Sequence, residues 1–121
     1  MRIKALSIVQ PGGSRIAAGL KTLEVRRWSP GLSPAEDLLI VENRRFLRHD
    51  GEEDPDGRAV AVVRVARIRL FTPADMAAAC AGSFEDGWLA WELTHIRPLT
   101  CGPRVAAARG IYEVTLDSPL R

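Results

Sequence analysis

The sequence has few of the residues that mark a metal site, a disulfide framework or a membrane span. Its 121 residues include two cysteines and two histidines, and these four do not have the spacing of metal ligands. No apolar run approaches the roughly 20 residues of a membrane-spanning helix, and the first residues are too polar for a signal peptide. We therefore expect no metal, no cofactor, no membrane partner, free buried thiols at Cys80 and Cys101, and a cytoplasmic location.

Aromatic residues and lysine are also scarce. Aromatics make up 6% of the chain, and two lysines stand against fifteen arginines. The net charge is only +2, but residues 1–50 carry nine basic against five acidic side chains, whereas residues 51–121 carry eight against ten. A mildly basic half suits an anionic ligand such as a nucleic acid. A GC-rich genome produces the same preference for arginine, so composition alone leaves the ligand open.

Hydrophobic periodicity predicts one α+β domain over residues 1–121. Period-two alternation indicates strands near residues 2–9, 22–28, 59–71, 88–99 and 110–116, and a short apolar run predicts a buried strand over residues 37–42. Ser14 is a candidate N-cap for a helix over residues 15–20, and Thr72 with Asp75 forms a capping box for a helix to about Cys80 that ends at Gly82. The slip in alternation near Ala66 predicts a bulge. About five to six short strands with two or three short helices favour a compact β-barrel, with a mobile acidic loop within residues 43–58.

The most distinctive segment is residues 19–26 (GLKTLEVR), which follows the predicted first helix. In an extended chain, residues two apart share a face, so Thr22, Glu24 and Arg26 are expected on one side, with Lys21 at the junction. Such a cluster is either a surface ion-pair strip of little energetic value or a polar site. In a polar site, Lys21 and Arg26 would hold a phosphate or a base carbonyl, and Glu24 would accept from a base amino group.

This segment, together with residues 5–11 (ALSIVQP), resembles the opening of ASCH domains, which belong to the PUA-like superfamily of RNA-associated β-barrels. That opening typically consists of a strand, Gln-Pro, a helix and then Gly-x-Lys-x-x-Glu-x-Arg. The resemblance extends to residues 91–99 (WELTHIRPL) and 109–114 (RGIYEV), and so covers nearly the whole chain. It implies a single monomeric ASCH domain with a PUA-like barrel, whose cleft takes RNA or a modified nucleoside.

The resemblance also implies which residues bind the ligand. By motif position, the candidates are Lys21, Glu24 and Arg26, to which Ser7 and Gln10 of the opening segment are added. Arg109, directly before Gly110, is a further ligand candidate.

The alternative is a small hydrolase in which Lys21, Thr22 and Glu24 are catalytic. It would act either as a ribonuclease or as an amidohydrolase on nucleosides similar to 4-acetylcytidine. The ASCH amidohydrolases use a lysine, a threonine three residues later and a distant glutamate. Lys21 matches this pattern, and Glu24 stands in the place of the threonine.

Overall fold

The apolar stretches of the sequence form a six-stranded mixed sheet in the computed structural model of the protein, which describes residues 1–117 and 120. The strands are β1 (Arg2–Val9), β2 (Leu23–Arg26), β3 (Leu38–Asn43), β4 (Glu53–Asp54), β5 (Arg58–Leu70), β6 (Leu89–Pro98), β7 (Ala107–Ala108) and β8 (Ile111–Thr115). The helices are α1 (Gly12–Ala17) and α2 (Met76–Ala79), the latter preceded by a 3₁₀ turn (Pro73–Asp75). The main sheet has the order β2-β6-β5-β3-β1-β8, and β4 pairs with β7 separately. Only β1 and β3 run parallel among these pairs.

Both faces of the sheet centre are covered, which explains why β3 is apolar throughout. Successive strand residues point to opposite faces. Leu38 and Ile40 therefore join the core that contains Ile16 of α1, while Leu39 and Val41 join a second core on the other face. This confirms the prediction of a buried strand over residues 37–42.

The sheet is strongly curved, although its closure into a barrel is not confirmed. Within the described residues, β2 and β8 are the two edges of the sheet. A flat sheet would separate β2 from β1, four places away, by about 19 Å at the usual strand spacing. Instead, Arg26 Nη2 on β2 donates to the carbonyl oxygen of Ser7 on β1 at 3.1 Å. Bulges contribute to such curvature, and the β5–β6 register shifts between Val65 and Arg67, close to the predicted bulge.

The structure corrects the predicted start of the first helix. The helix begins at Gly12, so Ser14 lies inside it rather than at its N-cap. The backbone N–H and the hydroxyl of Ser14 both donate to the Glu42 carboxylate at 2.7 Å, so a side chain from β3 satisfies a donor in the first turn.

The second helix runs to about Cys80 as predicted, and only the residue that ends it differs from the prediction. The capping box is present, because the Asp75 carboxylate accepts from the backbone N–H of Thr72 at 2.9 Å. However, the helix stops at Cys80, whose φ of 52° is left-handed, and not at Gly82. Cys80 and Cys101 are both exposed, which contradicts the expectation of buried thiols.

The predicted acidic loop contains an ordered pairing. Residues 53–54 form β4 against β7, and Asp54 is buried, where it accepts the backbone N–H of Asp56 at 2.9 Å and that of Arg44 at 3.3 Å. These bonds, that of Asp56 foremost, hold the pKa of Asp54 below its ordinary value. In the described part of the chain, no helix has the length and apolarity needed to cross a membrane.

Candidate functional site

A cleft of about 600 Å³ lies beside the C-terminal end of β1. Its walls come from five places in the chain: the β1–α1 junction, the segment from Lys21 to Trp28, the loop after β3, the C-terminal end of α2, and the β7–β8 turn. The charged side chains lining it are Arg15, Lys21, Glu24, Arg26, Asp50 and Arg109. Four are cationic and two are anionic, so the cleft carries a net positive charge suited to an anionic ligand.

Lys21, Glu24 and Arg26 form a continuous array of charges in the cleft wall. Lys21 Nζ lies 3.4 Å from Glu24 Oε1, and Arg26 Nη2 lies 3.4 Å from Glu24 Oε2. Lys21 and Glu24 are only 7% and 5% exposed. The prediction of a surface ion-pair strip is therefore wrong for these two residues.

Local backbone groups hold the array in place. Lys21 Nζ donates to the carbonyl oxygen of Ala79 at the end of α2 at 2.6 Å, and Glu24 Oε1 accepts the backbone N–H of Val25 at 3.0 Å. Buried charges are costly unless each is paired and hydrogen-bonded. Here each of the three charges has a partner, and the lysine and the carboxylate stay at fixed positions on the cleft wall.

Ser7 lies in the cleft wall with its hydroxyl already engaged. Ser7 Oγ accepts the backbone N–H of Ala108 at 3.1 Å and lies 2.8 Å from the hydroxyl of Tyr112. Burial raises the pKa of the Tyr112 hydroxyl, so this group stays protonated across the physiological range. Ser7 therefore joins β1 to the β7–β8 region behind the cleft.

Gln10 and Arg109 lie at the rim of the cleft. Gln10 is exposed, and its backbone N–H donates to the Asn43 carbonyl at 2.8 Å. Arg109 Nη1 donates to the carbonyl of Arg48 at 3.1 Å and to Asp50 Oδ1 at 3.3 Å. Both predicted residues line the cleft, and Arg109 is accessible to a ligand.

Thr22 is the one predicted site residue that does not line the cleft. It is exposed, its backbone N–H donates to the carbonyl of Ala78 at 2.9 Å, and its own carbonyl accepts from Leu93 at 3.0 Å. The strand begins at Leu23, so the two-residue alternation does not extend back through Thr22. Lys21, rather than Thr22, lies with Glu24 and Arg26.

Sequence reasoning missed two contributors, one at the end of β3 and one in the loop that follows it. Phe46 lines the cleft and is largely exposed, and Asn43 is buried with its Oδ1 lacking a hydrogen-bond partner among the described residues. An isolated phenylalanine in a stretch rich in arginine was a signal for Phe46. Nothing in the local pattern distinguished Asn43 from any polar residue at a strand end.

The arginines of β5 are paired with carboxylates, which neutralise their charge. Arg67 Nη2 and Arg69 Nε both contact Glu92 Oε2, at 2.7 and 2.6 Å, and Arg64 Nε lies 3.1 Å from Asp37 Oδ1. By contrast, Arg15 has no ion-pair partner in the described part of the chain. The cationic side chains that are accessible to a phosphate therefore include Arg15 and Arg109 at the cleft rim.

No group of three or more His, Cys, Asp or Glu side chains in residues 1–117 or at 120 is arranged to hold a metal ion. The polar side chains that line the cleft are four cationic groups, two carboxylates, two amides and the hydroxyl of Ser7, a set that suits polar organic or phosphate ligands.

The family model of the ASCH domain matches residues 6–101, which is most of the chain and includes the second half of β1, the charged array and β6. The chain belongs to the ASCH domain family. No curated protein matches it significantly in sequence.

Solved structures of an ASCH protein from Zymomonas mobilis resemble this ASCH domain. A serine-to-alanine variant superposes with a TM-score of 0.64 at 12% identity, covering 93% of this chain and 87% of its own. A tyrosine-to-phenylalanine variant gives a TM-score of 0.59 at 15% identity, covering 84% and 75%. A further ASCH structure from that organism gives 0.54 at 15% identity, covering 79% and 69%. At such low identity, the likeness shows the fold alone.

Proposed function

We propose that this ASCH domain binds RNA or a modified nucleoside in the cleft beside β1. In this proposal Lys21, Glu24 and Arg26 contact the base, and the rim arginines Arg15 and Arg109 contact phosphate. Glu24 accepts hydrogen bonds, whereas the lysine and the arginine donate them, so together they match the mixed donor and acceptor edge of a nucleobase.

The observation that carries the proposal is the charged array, in which Lys21 and Glu24 are buried. A salt bridge away from water contributes little to stability, because desolvation offsets the attraction between the charges. An apolar trio of the same volume would therefore serve a purely structural role at least as well. Three charges held by backbone contacts, on the wall of a cleft with the volume of small-molecule sites, favour recognition of a polar ligand.

The hydrolase alternative keeps Lys21 and Glu24 but loses Thr22 from its catalytic set. A threonine nucleophile needs a base within hydrogen-bond reach and a substrate beside it. The position of Thr22 outside the cleft supplies neither. What is left of the alternative is Glu24 acting as a general base towards water, and no contact of Glu24 favours this role over binding.

The test is RNA binding measured by fluorescence anisotropy at several salt concentrations, with wild type and Arg109→Ala. Two phosphate contacts predict a slope of about −1.4 in a plot of log affinity against log salt. Removing Arg109 should weaken binding by several fold and lower the magnitude of that slope by about 0.7.

Arg97→Ala is the matched control. The side chains of Arg97 and Arg109 are 47% and 45% exposed, and each contacts an aspartate, but Arg97 lies outside the cleft. Equal losses in both variants would overturn the assignment of phosphate binding to the cleft rim. Chromatography of 4-acetylcytidine and RNA after incubation with the protein tests the hydrolase alternative, which requires turnover that Glu24→Gln abolishes.

A further inference from the structure

The apolar ring of Phe46 is exposed to solvent at the edge of the cleft. It is 71% exposed, yet it lines the same cleft as the buried charge array. Burying such a side chain is normally favourable, so a ring that stays exposed beside a polar site is available for contact with a ligand.

The loop that carries Phe46 is ordered by its own hydrogen bonds. The Glu52 carboxylate accepts the backbone N–H of Arg48 at 2.8 Å and also pairs with the guanidinium of Arg45. Arg45 donates in addition to the carbonyl of Glu53 at 2.7 Å. These contacts order the backbone of the loop in the absence of a ligand. Binding therefore loses less conformational entropy than it would if the loop had to become ordered on contact with the ligand.

A second aromatic ring, that of Trp28, lines the same cleft. Trp28 follows β2, and its ring contacts the buried Trp91 edge to face, with ring centroids 5.2 Å apart. Trp91 Nε1 also donates to the carbonyl of Trp28 at 3.2 Å. The Arg26 guanidinium lies 6.0 Å from the centre of the Trp28 ring, which joins this ring to the charged array.

We propose that Phe46 and Trp28 form the stacking surface for one unpaired base of single-stranded RNA. This rests on the proposed function and deepens it by naming the form of RNA that the cleft accepts. An aromatic side chain needs the open face of a base, and in a duplex those faces are covered by neighbouring base pairs. Single-stranded RNA leaves them accessible.

The volume of the cleft and the charges around it favour binding of one nucleotide rather than of an extended RNA segment. The cleft volume of about 600 Å³ lies within the range of sites that enclose one small ligand. A base stacked on Phe46 presents its edge to Lys21 and Glu24, and its phosphate has Arg15 or Arg109 at the rim. Beyond the rim, the neutralised arginines of β5 offer little further attraction for a backbone.

The test compares an end-labelled single-stranded RNA oligomer with its duplex by fluorescence anisotropy. Wild type should bind the single strand at least about tenfold more tightly than the duplex, since stacking on one base contributes about tenfold or more. Phe46→Ala should weaken single-strand binding by about tenfold, whereas Phe46→Trp, which keeps an aromatic ring, should bind about as tightly as wild type. Leu70→Ala is the matched control, because Leu70 is 64% exposed and does not line the cleft.

The outcomes separate this inference from the proposed function. Single-strand binding that is weakened several fold in Arg109→Ala but unchanged in Phe46→Ala would overturn the stacking surface and leave the proposed function intact. Equal affinity of wild type for duplex and single strand would also overturn it. Absence of any RNA or nucleoside binding by wild type would overturn the proposed function, and the stacking surface with it. Since Phe46 is exposed, its replacement is not expected to unfold the protein, which circular dichroism checks.

Discussion

Replacing Lys21 by methionine should destabilise the protein, although methionine has a similar length and is apolar. Lys21 Nζ satisfies the Ala79 carbonyl at 2.6 Å and faces Glu24 Oε1 at 3.4 Å, both away from water. Removing one partner of a buried ion pair typically costs about 3–5 kcal/mol, because the other charge stays buried. Here Glu24 keeps Arg26 and the N–H of Val25, so we expect the lower figure of about 2–3 kcal/mol.

Thermal and urea unfolding followed by circular dichroism measure this loss. At about 4 °C per kcal/mol for a domain of this size, Lys21→Met should lower Tm by about 10 °C. In the double variant Lys21→Met/Glu24→Gln, the loss should fall short of the sum of the single losses by about 1 kcal/mol or more, because the two side chains interact. Single losses that add within about 0.3 kcal/mol, or a Lys21→Met variant as stable as wild type, would refute the buried pair.

Three further predictions follow from contacts elsewhere in the chain. Asp50→Asn should raise RNA affinity about two- to fivefold with unchanged Tm, because the exposed Asp50 competes with phosphate for Arg109; anisotropy showing no gain would contradict this. Burial raises the pKa of Tyr112, the single tyrosine, so its ultraviolet titration should have a midpoint above the ordinary value of about 10. The raised pKa means that the folded state binds this proton more tightly, so its stabilising contribution is complete below about pH 10 and is lost as pH rises through the raised pKa; a midpoint at or below 10 would contradict the burial. Gly102→Ala should cost at least about 3 kcal/mol in urea unfolding, because the added Cβ would lie 1.7 Å from the backbone oxygen of Ala59; near-native stability would refute that close approach.

Most of the charged array could be predicted because it is local. Lys21, Glu24 and Arg26 lie within six residues, so their spacing is visible in the sequence. Thr22 was included because strict alternation was extended one residue too far. The backbone of Thr22 bonds to Ala78 of the α2 region, a contact between residues 56 positions apart that no local pattern contains.

The degree of curvature of the sheet and the conformation of the Phe46 loop could not be predicted for a related reason. Curvature arises from twist and bulges summed over six strands, whereas periodicity describes one strand at a time. The loop depends on Glu52 reaching back to Arg45 and Arg48, and its short pairing of β4 with β7 joins two-residue strands. Strands of that length are too short for alternation to indicate them.

The distribution of arginine shows why the net charge was a weak guide to function. Arg64, Arg67 and Arg69 share carboxylate partners on the outer sheet, where they contribute little to the field around the protein. Arg15 and Arg109 line the cleft, and Arg109 is paired only with the exposed Asp50. A composition count weighs all these side chains equally, but a ligand phosphate interacts with the ones that lack a strong partner. The modest net charge of +2 is therefore compatible with a positive cleft, because the ion pairs elsewhere in the chain contribute many charged residues but little net charge.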